Sequence, residues 1–423
     1  MVQINDQQTH EITIVGGGII GLAIGLKLSL EGCSVTIIDK DTPASGCSAG
    51  NAGYLSQNGI FPLASWDTIR TLPKLLLDPT GPLIIRPSYF LQLIPWGLKL
   101  LRNSSPEKTQ SIIKALADLT RDAIDDYAEL LAASQSTNLI KYQGGLHLYN
   151  SEQALDSASR RLETVNNYDI EAYKISAKEV YDREPALVEG LAGAVFFPNN
   201  AHCINPAELG AAFANAILSK GGQIIQRQVH KVSPETTGLW KVETSDTPII
   251  SKQVIIAAGR WSDSLLKPLG YKVPIESERG YHLMLPNPGF DLSHPLVLVE
   301  KSFAITPMKN GIRLAGTVEF AKPGTEMDEY RSDMLYAQAA PFLPGLKNEG
   351  ATRWMGERPS LPDSLPAIGS SQKLPGLHYA FGHHHCGLTL AASTAGLMTD
   401  LVMKRQPKID SKPFSLRRFG GPE

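Results

Sequence analysis

The sequence predicts an α/β protein: a Rossmann-like nucleotide-binding domain assembled from separated segments, with a second domain built on a mixed or antiparallel sheet. Three observations carry this expectation. Residues 11–40 read strand, glycine turn, helix, strand and terminal acid. Strands of that style return only after position 190. Residues 271–320 are instead β-branched, aromatic and rich in turns, the pattern of an antiparallel wall.

Composition narrows the function classes. The 423 residues carry 40 Lys+Arg and 42 Asp+Glu, a net charge of -2, with 42% hydrophobic residues. A disordered chain would be poorer in apolar residues and more charged. A nucleic-acid binder held by bulk electrostatics would show a basic excess, so nucleic acid is not an expected partner. Cys33, Cys47, Cys203 and Cys386 form no CxxC pair, which argues against a disulfide scaffold or a structural zinc site. The opening MVQINDQQTHE lacks the positive start and apolar run of a secretory signal. No 18-residue apolar run is present, so no membrane span is expected. A cytoplasmic location follows as the expectation.

The first strand, Ile12 to Val15, runs into Gly16, Gly18 and Gly21, followed by an amphipathic helix and a strand ending at Asp39. Gly16 permits a tight turn, Gly18 lets backbone N–H groups approach a pyrophosphate at the helix N-terminus, and Gly21 lets helix and sheet pack closely. Ile19, Ile20 and Lys40 flank these positions. Asp39 suits the ribose hydroxyls of a dinucleotide and disfavours a 2′-phosphate. The following loop, 43–56, is small and polar, with Ser48, Asn51, Ala52 and Gly53. It reads either as a mobile surface loop or as a wrap around a bulky polar cofactor.

Residues 66–103 are Leu- and Pro-rich. Pro73, Pro79, Pro82, Pro87 and Pro95 predict short helical turns instead of one long helix. Tyr89, Phe90 and Trp96 lie among Leu and Ile, with Lys74, Arg86, Lys99 and Arg102 interspersed. The segment is read as a lid packed on the body or as a patch resting on a membrane or partner. Residues 107–134 predict one long amphipathic helix, 139–149 a hairpin or bulged strand, and 152–167 a polar helix. Residues 193–197 are a strand, and Asn205–Pro206 open a helix that stops at Gly221–Gly222. Strands follow at 224–232, in GLWKVET, and at 252–263, the last ending in AAGRWS. The boundaries drawn from this pattern are 11–65, 190–270 and 350–406 for the nucleotide domain. The substrate domain and helical insertion take 66–189 and 271–349, leaving 407–423 as a tail.

GGGIIG with Asp39, SAGNAG, VIIAAGRWS, ERGYHL, MGERPSLPDSLPAIG and GHHHCGLTLA, in that order, together resemble the FAD-dependent D-amino acid oxidase superfamily, the branch of bacterial D-amino acid dehydrogenases above all, including D-hydroxyproline dehydrogenases. The resemblance covers residues 11–406. It implies an FAD cofactor held by Gly16, Gly18, Gly21 and Asp39, with Ser48, Asn51 and Ala52 along the flavin. Val229 matches a backbone contact to adenine, and Ala258, Gly259 and Trp261 lie in the second glycine motif. Gly356, Arg358, Pro359 and Asp363 match the late motif, in which arginine grips a substrate carboxylate. Gly387, Leu388 and Thr389 match the loop facing the flavin carbonyls. His383 stands at the histidine of a GHG motif, and position 384 departs from it, with His in place of glycine.

The residue chemistry agrees with that implication. A guanidinium matches a carboxylate bidentately, so Arg358 is the first candidate for substrate binding; an internal pair with Asp363 or Glu357 is the competing reading. Strand alternation puts Arg279, Tyr281 and Leu283 on one face, with Gly280 and His282 on the other. Arg279 and Tyr281 are the further carboxylate-binding candidates. Gly387 is expected to start a helix whose N–H groups face the flavin. His383 and His385 are candidates to line the pocket or accept a proton, and no metal is expected. Three functions remain: an FAD dehydrogenase of D-amino acids passing electrons to a quinone or other non-oxygen acceptor; an amine or amino acid oxidase producing hydrogen peroxide; and a non-catalytic flavoprotein subunit.

Overall fold

A computed structural model describes residues 9–63, 65, 69, 78 and 81–420. Most of the 66–80 stretch, with Pro73, Lys74 and Pro79, lies outside the described residues, as does the reading of residues 1–8.

The nucleotide sheet is built as the sequence grammar requires. Thr9–Val15 lies parallel between Val35–Asp39 and Ile249–Ile256. Gln223–Gln226 extends the sheet beyond Val35–Asp39, and Leu377–Phe381 pairs with the end of Ile249–Ile256, both parallel. Trp240–Thr244 and Val229–Pro234 complete the far edge as an antiparallel pair. The predicted strand 224–232 is therefore two strands on opposite edges of one sheet. The chain leaves its first partner after Gln226, and Arg227 N–H still bonds the Asp39 carbonyl at 2.7 Å. The helices Ile19–Leu30, Pro206–Ser219 and Ala391–Val402 cover one face, and their apolar sides join Ile12, Ile14 and Ile37 in one core. Asn205 caps the second of these, its Oδ1 accepting the Glu208 N–H at 3.2 Å.

The second sheet runs Thr352–Ser360, Glu276–Leu285, Gly311–Phe320, Phe303–Met308, Leu296–Leu298, Gly145–Tyr149, Gly193–Phe197, Tyr173–Ser176. It is antiparallel except where Leu296–Leu298 meets Gly145–Tyr149, and where Leu83–Ile85 adds to Gly311–Phe320. Two segments assigned by sequence to the nucleotide domain belong here. Gly193–Phe197 pairs with Gly145–Tyr149, and Thr352–Ser360 pairs with Glu276–Leu285. The first is a fully buried strand and the second a partly exposed edge strand, and neither carries a local mark of which sheet it joins.

Three helical expectations also change. The helix expected over 107–134 is Pro106–Thr120 and Tyr127–Ala133, separated by turns through the charged run Arg121–Asp126. The helix expected over 152–167 is Glu152–Ser157 and Ser159–Asn166. In the proline-rich region, by contrast, Phe90–Arg102 is one 13-residue helix that continues through Pro95. The bond Pro95 cannot donate would end on the carbonyl of Leu91, whose side chain is 76% exposed, at a position where water can replace it. Leu93 and Trp96 pack this helix onto Phe320.

Candidate active site

One cavity of about 1610 Å³ runs from the Gly16 turn, past the 43–56 loop, to the second sheet and the 382–389 loop. Its nucleotide end is shaped by close backbone approach. Gly16 has φ +117°, and a Cβ there would stand 2.3 Å from the Ala257 carbonyl oxygen. Gly18 is the N-cap of the first helix, with extended φ and ψ and no side-chain cap. The Gly17 N–H donates to Asp39 Oδ2 at 2.6 Å and the Asp41 N–H to Oδ1 at 3.0 Å. The carboxylate is thereby fixed at the cavity edge with lone pairs to spare. Ile19, Ile20, Asp39, Lys40, Val229, Ala258, Gly259 and Trp261 all border this end. Trp261 stays 46% exposed, with Lys40 Nζ 4.8 Å and the Arg260 guanidinium 4.4 Å from its ring. Gly21 does not reach the cavity; a Cβ there would meet the Gly16 carbonyl at 2.0 Å, which is the helix–turn packing assigned to it.

The 43–56 loop is held along its length, unlike a mobile surface loop. Ser48 Oγ accepts the Ile19 N–H at 2.9 Å, placing a hydroxyl at the helix N-terminus. Asn51 Oδ1 accepts the Gly53 N–H at 2.9 Å, and its Nδ2 reaches the His385 carbonyl at 3.4 Å. Arg313 donates to the carbonyls of Ala49 and Asn51. Ala52 lines the cavity; Gly53 instead abuts Cys203 of the neighbouring strand, so its expected cofactor contact is not found. The Trp354 indole is wedged between Gly50 and Gly356 and stacks on His282 at 4.9 Å and 13°. Neither Trp354 nor Arg313 stood out in the sequence, since an isolated aromatic or arginine in a strand carries no motif.

At the substrate end, each face of the strand Glu276–Leu285 gives one side chain to the cavity, Tyr281 from one and Glu278 from the other. Arg279 and Tyr281 turn together toward Glu319, which is fully buried. Arg279 donates to Glu319 at 2.7 Å and to the carbonyls of Thr325 and Glu326, and it does not border the cavity. Tyr281 borders the cavity, but its hydroxyl donates to Glu319. Burial and that carboxylate push the phenol up to about 12. The opposite face presents Glu278, Gly280 and His282. Arg358 lies over Gly280, where a Cβ would meet the guanidinium carbon at 2.2 Å.

Arg358 borders the cavity and donates to the Thr317 carbonyl at 3.3 Å. Burial lowers its affinity for the proton, and Glu278 partly offsets this. The competing partners are taken elsewhere: Glu357 pairs with Arg260, and Asp363 pairs with Arg418 at 2.5 Å. Among the described residues, no carboxylate forms an ion pair with Arg358. Thr317 is the extra residue of a bulge in its strand, opposite Gly280 and Tyr281, with φ +59°. Its buried hydroxyl has no partner and borders the cavity.

The three histidines divide. His383 borders the cavity, and its Nε2 is paired with the Thr394 hydroxyl at 3.0 Å; burial pushes its pKa down to about 3. His384, with φ +51°, accepts the Leu361 N–H on Nε2 at 3.1 Å. His385 borders the cavity, where its accessible surface faces an enclosed space; the surrounding protein and then Arg358 lower its pKa to about 4. Gly387, Leu388 and Thr389 border the cavity in a turn closed by Leu390 N–H on Cys386 carbonyl at 2.9 Å. The helix itself starts at Ala391, four residues later than expected.

A nucleotide-shaped glycine turn, a two-sheet cavity and a late loop closing it together define an FAD-dependent oxidoreductase. The chain belongs to the FAD dependent oxidoreductase family, whose model matches residues 11–401. It is 31% identical to a D-amino-acid oxidase of Bradyrhizobium diazoefficiens, over 97% of this chain and 99% of that one. It is 28% identical to a D-amino acid dehydrogenase of Ralstonia nicotianae, over 96% and 100%. Glycine oxidase from Geobacillus kaustophilus superposes with a TM-score of 0.70 at 25% identity, over 96% of this chain and 98% of that one. L-proline dehydrogenase from P. horikoshii has the same fold, with a TM-score of 0.75 at 18% identity over 99% and 100%. The residues present fit the family's cofactor. The Gly16 cradle is one a Cβ would fill, the helix N-terminus is open to an anion, and the cavity is longer than a small substrate needs.

Proposed function

We propose that the protein oxidises an amino acid at the carbon bearing the amine. The favoured substrates are D-amino acids, cyclic proline-type ones included, and the product is an imino acid. Arg358 carries this reading: a half-buried guanidinium borders the cavity and, among the described residues, forms no ion pair with a carboxylate. Such a group suits a ligand that brings the carboxylate with it. The names of the curated relatives support the D-amino acid class.

FAD, when bound, would supply the acceptor for the hydride that leaves Cα. Gly16, Gly18 and the first-helix N-terminus would hold the pyrophosphate, Asp39 the ribose, and Gly387–Thr389 the flavin carbonyl edge. Arg358 holds the carboxylate and so fixes which face of Cα meets the flavin. Trp354 and Tyr281 give that end of the cavity its aromatic walls. His385, neutral at pH 7, is placed to act on a proton beside Arg358.

The proposed electron acceptor is a quinone or another non-oxygen acceptor, reached by peripheral contact with a membrane. In its support, Phe90, Leu91, Ile94, Leu98 and Leu101 form an exposed apolar stripe on a helix that also borders the cavity. Among the described residues, no helix is long and apolar enough to cross a membrane. Anaerobic mixing of the yellow holoprotein with D-, L- and cyclic amino acids tests the substrate class. Bleaching by a D-amino acid is expected, and a flavin that no amino acid bleaches refutes the reading. Comparing oxygen with a soluble quinone as oxidant then tests the acceptor.

A further inference from the structure

Glu278 is the acid that opens the ERGYHL strand segment. It is 4% exposed and borders the cavity. Its strand position faces Arg358 directly in the antiparallel register. Directly opposed residues on one sheet face stand about 5 Å apart at Cβ. Two opposite charges so placed would ordinarily close into an ion pair, yet Glu278 and Arg358 do not, and Arg358 is drawn instead over Gly280 to the Thr317 carbonyl. The arrangement leaves an anion and a cation facing one cavity side by side. That is the complement of a zwitterion.

The hydrogen bonds behind Glu278 have a fixed direction. The Leu361 N–H can only donate, so His384 Nε2 accepts it. The His384 proton therefore lies on Nδ1 and points at Ser360 Oγ, 2.9 Å away. The Ser360 hydroxyl proton is then free for the Glu278 carboxylate, with which it interacts. Ser360 thus stands between His384 and Glu278, and its hydroxyl lowers the Glu278 carboxyl against the effect of burial. This gives His384 a role: it holds Ser360 as a donor toward the acid.

We propose that Glu278 receives the amino group of the substrate opposite Arg358 and takes a proton from it. This rests on the amino acid reading above. In the step, one N–H bond of the ammonium breaks and an O–H bond forms on Glu278. The electron pair left on nitrogen makes the C=N bond as hydride leaves Cα for the flavin, the oxidant that takes both electrons. Burial raises the Glu278 carboxyl above its ordinary range, against the pull of Ser360 and Arg358, with Glu276 on the same strand raising it further. A raised carboxylate is the better base. Arg358 on the neighbouring strand, Glu276 and the neutral His384 behind Ser360 are the charged or titratable groups set against it.

The test uses the FAD-loaded protein and two ligands that cannot be oxidised: 2-aminoisobutyrate, which has no hydrogen on Cα, and isobutyrate, which lacks the amine. Binding is read calorimetrically in buffers of different ionisation enthalpy, which also counts protons released. E278Q is expected to weaken 2-aminoisobutyrate at least tenfold and to leave isobutyrate unchanged or tighter, whereas R358L weakens both. The low-pH limb of anaerobic flavin reduction should move upward in E278Q, toward the free amine's own ionisation. E278D should retain the proton-transfer behaviour with a smaller loss, and it serves if the glutamine variant does not fold. Equal weakening of both ligands, or an unmoved pH limb, overturns the role of Glu278. A wild-type holoprotein that binds neither ligand and is bleached by no amino acid overturns the amino acid reading and this inference together.

Discussion

Arg358 and His384 show how much single side chains decide here. Arg358 keeps a charge in surroundings that resist it, and only a carbonyl and a neighbouring acid compensate. Arg358→Leu should weaken substrate binding by about 3 kcal/mol, or about 100-fold, while the protein stays yellow. Steady-state kinetics with flavin absorbance checks both halves of this expectation. His384 sits with a left-handed backbone and spends both ring nitrogens on Ser360 and Leu361. His384→Ala leaves the buried Leu361 N–H without its acceptor, a loss of about 1–3 kcal/mol, visible as a lower melting temperature. The histidine run was legible as a departure from a familiar motif. Its division into a paired, a structural and a cavity-facing histidine was not, because adjacent loop residues point in directions that sequence spacing does not determine.

The strand Glu276–Leu285 is the element on which the site turns. Alternation alone sorts it into two faces, but it cannot say which side chains meet the cavity. That depends on Glu319, whose carboxylate captures Arg279 and Tyr281 from another strand. Gly280→Ala should push the guanidinium of Arg358 off its seat and reduce substrate affinity at least tenfold with FAD content unchanged, which titration with a carboxylate ligand would show. The Phe90–Arg102 helix makes a separate prediction. Each leucine moved from water into lipid contributes about 2 kcal/mol. Leu91→Glu with Leu98→Glu should therefore abolish flotation with anionic vesicles while leaving dye-linked turnover intact. Flotation equal to wild type would remove the membrane from the proposal.

The nucleotide fold was largely legible because one local pattern, residues 11–40, obliges strand, turn and helix to pack in a single way. The second sheet was legible only as a kind of sheet. Its order joins residues as distant as His147 and Val297 in parallel, and such pairings leave no local trace. The whole molecule also buries histidines as neutral rings. Burial holds His147, His282, His383 and His384 near pKa 3, and His202 and His378 near 4. Each folded value lies below the unfolded one, so their contribution is complete above about pH 6.5 and is lost as pH falls toward the folded values. His385 adds to this in the same direction, while the raised carboxyls of Glu278, Asp126 and Asp263 act with the opposite sign and are fewer than the lowered histidines. Melting temperature should therefore decline steeply between pH 6.5 and 4, and a flat profile across that range would contradict it.

The bulge at Thr317 has an evolutionary corollary. A β-branched residue held at positive φ is a conformational burden of about 1–3 kcal/mol, and glycine would relieve it. Selection for durability alone would therefore favour glycine at 317, at the expense of a side chain on the cavity wall and of the strand bend that carries the Thr317 carbonyl to Arg358. Heat-hardened variants recovered without a requirement for turnover should gather mutations there, and their loss of activity would trace how the chain trades robustness for chemistry.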